Sequence, residues 1–477
     1  MSLKAKVLTG TKWVAFANVF KQVLQVLSLV IFARLLSPDD FGLFALLMIF
    51  VSFLAMFTDM GTASALIHID QPSQKLLSSV FFFNLFLGLF LAVLLVLSAS
   101  SIALFFANPP LELLLQIISI NFIIISFGVV QKARYEKALE FRELAIIEVL
   151  ALLIGITTAI ICAINGMGVY SLLVQTLTIS FINVVLLWSI AKWRPSWHFA
   201  VEDIKRIWGY TANLSTFNFV NYFSRNADNF LIGKFLNSSA LGVYSLAYSI
   251  MLYPLQNISR VLLRILFPAF STIKDDSEKF KRVYLRTLFF IALVSFPIMA
   301  GLIATAELLV AVLFGDKWLG LAQILMILAP VGLIQSIGTT NGSIYMAKGN
   351  TRLLLRVGVF STVVTIAFFV GGLFWGVEGV AFSYLLSNIV LFYPVFRISW
   401  GQIGLSVSEG VVVLLPLLAI VSIMGVSVWG LGQWLDTLSL YPVVQLIVMV
   451  LTGVALYIAL IALKYGNPKK LLKELKR

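Results

Sequence analysis

What constrains this chain most is a series of long apolar segments, repeated from one end to the other and broken only by short polar turns. A helix needs about 20 apolar residues to cross the ~30 Å hydrocarbon core of a bilayer. Lipid offers the backbone no hydrogen bonds, so such segments become helices. About fourteen are read along the chain: 12–36, 41–67, 76–107, 111–132, 143–165, 168–192, 209–236, 240–269, 282–314, 318–346, 353–375, 378–400, 409–431 and 440–464. The breaks carry turn chemistry, as in Ser37-Pro38-Asp39-Asp40, Asn108-Pro109-Pro110, Asn165-Gly166-Met167-Gly168 and Gly349-Asn350. The expected fold is an all-α polytopic membrane protein. Hydrophobic residues make up 60% of the chain and charged residues 12%, against about 45–50% and 25% in a soluble domain. That surplus argues against a soluble enzyme, a secreted protein or a disordered regulator. The first segment is too long for a signal-peptide core and lacks a small-residue cleavage site, so it is expected to stay as the first helix.

Charge supplies the orientation. The net charge is +13. Of the 34 Lys and Arg, all but Lys21, Arg34, Arg225, Lys234, Arg260, Arg264 and Lys317 fall in the tails or in alternate loops. The positive-inside rule then predicts both termini on the cytoplasmic side, with the positive charge against anionic lipid heads and not against nucleic acid. One cysteine, Cys162, excludes an intramolecular disulfide, and His68 and His198 have no metal-ligand spacing. No metal site and no cofactor are expected. The inner connection 193–208 mixes Trp193, Trp197, Phe199 and Trp208 with charged residues and reads as an amphipathic interfacial segment.

The sequence repeats itself. An offset of 200 aligns Ala33-Arg34-Leu35-Leu36-Ser37 with Gly233-Lys234-Phe235-Leu236-Asn237. It also aligns Phe41-Gly42-Leu43-Phe44-Ala45-Leu46 with Leu241-Gly242-Val243-Tyr244-Ser245-Leu246. The expected organisation is an N-terminal six-helix bundle (1–192), a cytoplasmic linker (193–208), a second six-helix bundle (209–400), and two extra transmembrane helices with a basic tail (401–477). Both halves start on the same side of the membrane, so the repeats are parallel. Transporters of this plan hold substrate between their halves.

Ionisable groups inside spans cost about 2.5–3.5 kcal/mol each on the insertion scale and mark candidate sites. The span from 209 is the most polar, with Asn218, Asn221, Tyr222, Arg225 and Asn229 recurring at helical spacing and Asp228 near Arg225. It reads as a wet stripe lining a cavity, or as an Arg–Asp pair pinning one helix to a neighbour. Arg260 and Arg264, one turn apart, make either an anion clamp or a pair snorkelling to the interface. Lys21 and Gln25 are the counterparts on the first helix, with Lys21 also near enough to the inner surface to snorkel. Asp59, Asp228 and Glu307 are the carboxylates open to a coupling role with a proton or sodium ion, and Glu148 is a weaker candidate. Arg34 and Lys234 end their helices and fit a C-terminal, interfacial role.

The segment Arg225-Asn226-Ala227-Asp228-Asn229-Phe230-Leu231-Ile232-Gly233-Lys234-Phe235 with Leu241-Gly242-Val243-Tyr244, and Leu35-Leu36-Ser37-Pro38-Asp39-Asp40-Phe41-Gly42 before it, resemble the half-starts of Wzx-type polysaccharide flippases. These belong to the multidrug/oligosaccharidyl-lipid/polysaccharide exporter superfamily. The resemblance implies a V-shaped pair of bundles around a cationic cavity in the bacterial inner membrane. It implies translocation of undecaprenyl-pyrophosphate-linked oligosaccharide by alternating access, with membrane lipids around it and a polysaccharide polymerase and chain-length regulator as partners. Arg225, Arg260, Arg264 and Lys21 take the cationic role. A lipid II flippase and a multidrug/cation antiporter of the same fold are the rivals. A membrane glycosyltransferase fits less well, since the loops are short and carry no nucleotide-sugar motif.

Overall fold

The structure is a computed structural model. It describes the backbone of residues 3–58, 61–205, 222, 225–273 and 276–466, with the side chains of 3–12, 15, 256–269 and 271–272 left aside. The described residues are helical almost throughout. In chain order the helices are α1 (Leu3–Leu35), α2 (Pro38–Ala55), α3 (Thr62–His68), α4 (Gln74–Phe105), α5 (Pro110–Ser126), α6 (Val129–Lys137), α7 (Phe141–Ile164) and α8 (Val169–Ile190). Then come α9 (225–235), α10 (Ser238–Thr272), α11 (Ser277–Leu313), α12 (Leu319–Gly338), α13 (Asn341–Ala347), α14 (Thr351–Gly372), α15 (Gly376–Gly401), α16 (Val407–Asp436) and α17 (Pro442–Tyr465). Ten stretches are long and apolar enough to cross a membrane, eleven if α5 and α6, bent by 42°, form one span. One of the ten, 351–401, holds two helices, α14 and α15. The expected span 209–236 lies outside the described residues except for Tyr222 and its last turns in α9.

The turns foreseen from sequence become caps. The Ser37 hydroxyl accepts from the Asp40 amide at 3.2 Å, and the Asp40 carboxylate accepts from the Ser37 amide at 2.9 Å, with Pro38 in the first turn. Ser406 and Glu409 repeat this reciprocal arrangement ahead of α16. Each box satisfies amides that hydrocarbon would leave orphaned. The other oxygen of Asp40 accepts from the Val169 amide at 2.8 Å, tying the start of α2 to the start of α8. Apolar side chains such as Phe86, Leu97, Leu104, Val426 and Leu463 point outward and exposed, as a lipid-facing surface requires.

The chain forms two compact units, Met1–Gly242 and Val243–Arg477. In the first, α4 packs on α5, α7 on α8, and α1 on α7. The connection after α8 is pinned to this unit: Trp193 is buried and its indole donates to the Gln74 side chain at 2.5 Å, while Asp203 accepts from Ser79 at 2.7 Å. Only 201–205 of this linker is helical among its described residues, and Trp197 stacks on Phe82 while 98% exposed. In the second unit, α11 packs against α12, α16 and α17. The two extra helices therefore share a core with the helices before them. Trp400 closes that core: its indole donates to Tyr284 at 2.8 Å, and a Cβ on Gly410 would stand 2.1 Å from its ring.

The repeat shows itself in one contact within the first unit. A Cβ on Gly42 would lie 1.6 Å from the Ser238 carbonyl oxygen, and a Cβ on Gly242 would lie 1.8 Å from the Pro38 carbonyl oxygen. The offset of 200 exchanges Gly42 with Gly242 and Pro38 with Ser238, so the contact maps onto itself, as at a two-fold axis. Only glycine lets two backbones approach this closely. Gly42→Val or Gly242→Val is therefore expected to lower stability by about 1–3 kcal/mol or more through overpacking. Gly301→Ala, on a helix with nothing within 4 Å of the added Cβ, is expected to be neutral or stabilising by up to about 1 kcal/mol. Thermal unfolding of the detergent-solubilised variants measures both.

Candidate functional site

A cavity of about 790 Å³ opens inside the first unit. Its walls come from seven helices and the turn after α2. Helix α1 contributes Lys21 and Gln25, one turn apart on the same face. Thr58 follows α2, and α3 adds Ser64. The bend between α5 and α6 turns the chain at Gly128 and carries Lys132 and Glu136 into the wall, again four residues apart. Helix α7 supplies Glu148 between Leu144 and Leu152, and α8 supplies Ser180 and Asn183. The floor is apolar, with Ile125, Ile147, Ile179 and Leu187. This is a polar chamber in a unit whose outer surface is hydrocarbon.

Its electrostatics centre on one contact. The Lys21 ammonium lies 2.5 Å from the Glu148 carboxylate, and both side chains remain partly exposed, at 23% and 37%. Lys132 and Glu136 add one charge of each sign, so the lining is formally neutral. The Asn183 amide donates to the Ile179 carbonyl at 2.9 Å, which leaves its side-chain oxygen to the cavity. Thr58 is 6% exposed and its buried hydroxyl has no hydrogen-bond partner among the described residues. An unpaired buried hydroxyl costs about 1–3 kcal/mol. Gln131, fully buried beside Lys132, also keeps both amide atoms without partners.

The structure brings together some of the residues singled out from sequence and not others. Lys21 and Gln25 line the chamber. Glu148, the weaker carboxylate on sequence grounds, is the partner of Lys21. Tyr222 is half-buried against α2, its ring 5.6 Å from Phe53 and its hydroxyl donating to the Ile49 carbonyl. On α9, Arg225 is exposed, Asp228 is 3% exposed, and the Asn229 side-chain oxygen is buried without a partner. None of these four is among the residues lining the chamber. Arg260 and Arg264 lie on α10, one turn apart, with side chains outside the described ones. Asn218, Asn221 and Asp59 lie outside the described residues altogether. Lys234 donates to the Phe105 carbonyl at the end of α4, its ammonium 4.3 Å from the Phe105 ring centre. That is where a helix C-terminus favours a cation. Glu307 lines a smaller cavity of about 460 Å³ in the second unit, with Gln323, Gln433, Asp436 and Gln445.

Sequence reasoning missed Lys132, Glu136, Thr58 and Asn183. Lys132 and the basic residues after it read as a cytoplasmic loop, but 129–137 continues as helix. The four-residue spacing of Lys132 and Glu136 was the available signal.

A polytopic helical bundle with a charged chamber sunk into one unit is the architecture of a membrane transporter. The chain matches the "Polysaccharide biosynthesis protein" family over residues 31–323 and belongs to it. It is 28% identical over 441 residues to the lipopolysaccharide biosynthesis protein WzxC of Escherichia coli, covering 90% of each chain. It is 26% identical to the teichuronic acid biosynthesis protein TuaB of Bacillus subtilis, covering 99% of each. Among solved structures it is similar to the lipid II flippase MurJ in an inward closed conformation, with a TM-score of 0.75 at 17% identity over 96% of this chain and 99% of that one. An inward-facing multidrug transporter of the MATE family matches with a TM-score of 0.65 at 18% identity, over 80% and 94%. These likenesses establish the fold.

Thr58→Val removes the vacant hydroxyl and keeps the shape. No hydrogen bond is lost, so the thermal midpoint is expected to be equal to wild type or higher. A drop of several degrees by scanning fluorimetry would show that the hydroxyl has a partner.

Proposed function

We propose that this protein is a flippase for polyprenyl-diphosphate-linked oligosaccharide units, carrying them across the bacterial inner membrane for surface polysaccharide assembly. The observation that carries this reading is the charged chamber of Lys21, Lys132, Glu136 and Glu148 inside an apolar helical unit. Its support is similarity along nearly the whole chain to proteins named for lipopolysaccharide and teichuronic acid biosynthesis.

The physical problem is the head of the substrate. A diphosphate with sugars attached cannot enter ~30 Å of hydrocarbon, while the polyprenyl tail is at home there. A transporter need only shelter the head. In this reading Lys21 and Lys132 bind phosphate oxygens as point charges. Gln25, Ser180 and Asn183 supply neutral hydrogen bonds. Arg260 and Arg264 act as a second anion clamp on α10, and Arg225 with Asn218, Asn221, Tyr222 and Asn229 gives the polar stripe of the second repeat. The halves rock between inward and outward openings with both termini in the cytoplasm. A proton or sodium gradient drives the cycle through Asp59, Asp228 or Glu307. The role is transport rather than catalysis, with a polymerase and chain-length regulator acting on the delivered units.

The test is translocation of a fluorescent undecaprenyl-diphosphate oligosaccharide in proteoliposomes at matched protein density. Arg225→Ala, Arg260→Ala and Lys21→Met are each expected to slow it by roughly tenfold, the effect of losing one charge-assisted hydrogen bond. Wild-type rates in all three would remove the charged-chamber mechanism. Running lipid II and a cationic dye in parallel separates the cell-wall and drug-export readings.

A further inference from the structure

We infer that Glu148 is a built-in competitor for the anionic head. It holds Lys21 while the chamber is empty, a diphosphate takes the ammonium from it, and re-formation of the Lys21–Glu148 pair drives the head off. This rests on the flippase reading and adds a release step to it.

Three observations carry the inference. The pair bridges α1 and α7, which also pack on one another through many other residues. A partly exposed ion pair contributes only about 0–1 kcal/mol to stability, so fastening α1 to α7 does not account for it. Second, both members line the chamber and are partly exposed to it. The ammonium has three donor hydrogens and is open to a second anion arriving through the lumen. Third, the surroundings of Lys21 suit an anion better than they suit Glu148 alone. Lys132 and Gln25 line the same chamber, and both can donate to phosphate oxygens.

Competition follows from these facts. A tethered carboxylate presents itself to Lys21 at a high effective concentration. It keeps the empty chamber formally neutral and shuts out single anions that bind weakly. A diphosphate brings more charge and more acceptor oxygens, and reaches Lys21 and Lys132 together. It displaces Glu148 without needing very high affinity, and the displaced carboxylate is a standing repulsion that favours departure. The same two groups therefore set both how tightly the head is held and how fast it leaves.

The experiment measures binding of undecaprenyl diphosphate to the full-length protein in nanodiscs, with undecaprenol as the neutral control, beside translocation kinetics. Glu148→Gln is expected to bind undecaprenyl diphosphate about tenfold more tightly, within the usual range of coupling between competing groups. Its affinity for undecaprenol should be unchanged and its maximal translocation rate lower. Glu148→Asp, which draws the carboxylate back by one methylene and keeps its charge, should fall between. With Lys21→Met the gain from Glu148→Gln should vanish, because the competition has lost its object. A purely structural pair would instead give Glu148→Gln a lower thermal midpoint with equal or weaker diphosphate binding, and that result overturns the inference alone. If neither wild type nor any variant prefers undecaprenyl diphosphate over undecaprenol, the flippase reading fails and the competitor role with it.

Discussion

Hydrocarbon makes no hydrogen bonds, and nearly every feature of this protein answers to that fact. It forces the backbone into helices and leaves the polar ends of each helix to be satisfied locally. Ser37 with Asp40, and Ser406 with Glu409, do this through reciprocal capping boxes. Asp40 goes further, since its second oxygen serves the first amide of α8, that of Val169. The same constraint makes any unsatisfied polar group inside a span informative. In water the Thr58 hydroxyl, without a partner among the described residues, would be unremarked, but in a transmembrane unit it stands out.

A second constraint comes from duplication. Two copies of one helical pattern meet at Gly42 and Gly242, where each glycine faces the carbonyl four residues ahead of the other. A single glycine in one copy would be unremarkable. Equivalent glycines in mutual backbone contact require that both copies kept the same small residue at the same turn for a shared geometric reason. The charges have diverged where the scaffold has not. Lys21 and Gln25 of the first repeat stand at positions that carry Asn221 and Arg225 in the second. A common frame thus carries different polar surfaces in its two copies.

Much of the frame was legible before any coordinates, for definite reasons. Spans are long and their composition is extreme, so helices are found wherever the apolar run and its flanking Ser-Pro-Asp or Asn-Gly turn agree. Hydropathy fails where a helix continues past its apolar part. The expected span ends at 132 and the residues after it look like a basic loop, yet 129–137 form a helix that extends α5 after a 42° bend and supplies Lys132 and Glu136 to the chamber. It fails again for the linker, where Trp193 and Asp203 fix the chain by bonds to Gln74 and Ser79 that no local pattern announces. The pairing of Lys21 with Glu148 spans 127 residues. Either residue alone is an ambiguous charge in a membrane. Only the packing of α1 on α7 turns two doubtful candidates into one site.

That pairing also bears on how a charged chamber survives in a membrane at all. Two lysines facing an empty cavity would bind whatever phosphate was nearest, and lipid headgroups are abundant at the interface. Two carboxylates among them remove the net field without removing the ammonium groups. Selectivity then rests on whether an incoming anion outcompetes carboxylates already in place, which favours a diphosphate over a single phosphodiester. A strongly cationic chamber would hold its cargo longer and turn over more slowly, since an interaction made equally at every stage of a cycle tightens binding without quickening it. On the flippase reading, charge balance in the lining is therefore the condition under which binding the head and letting it go are both fast.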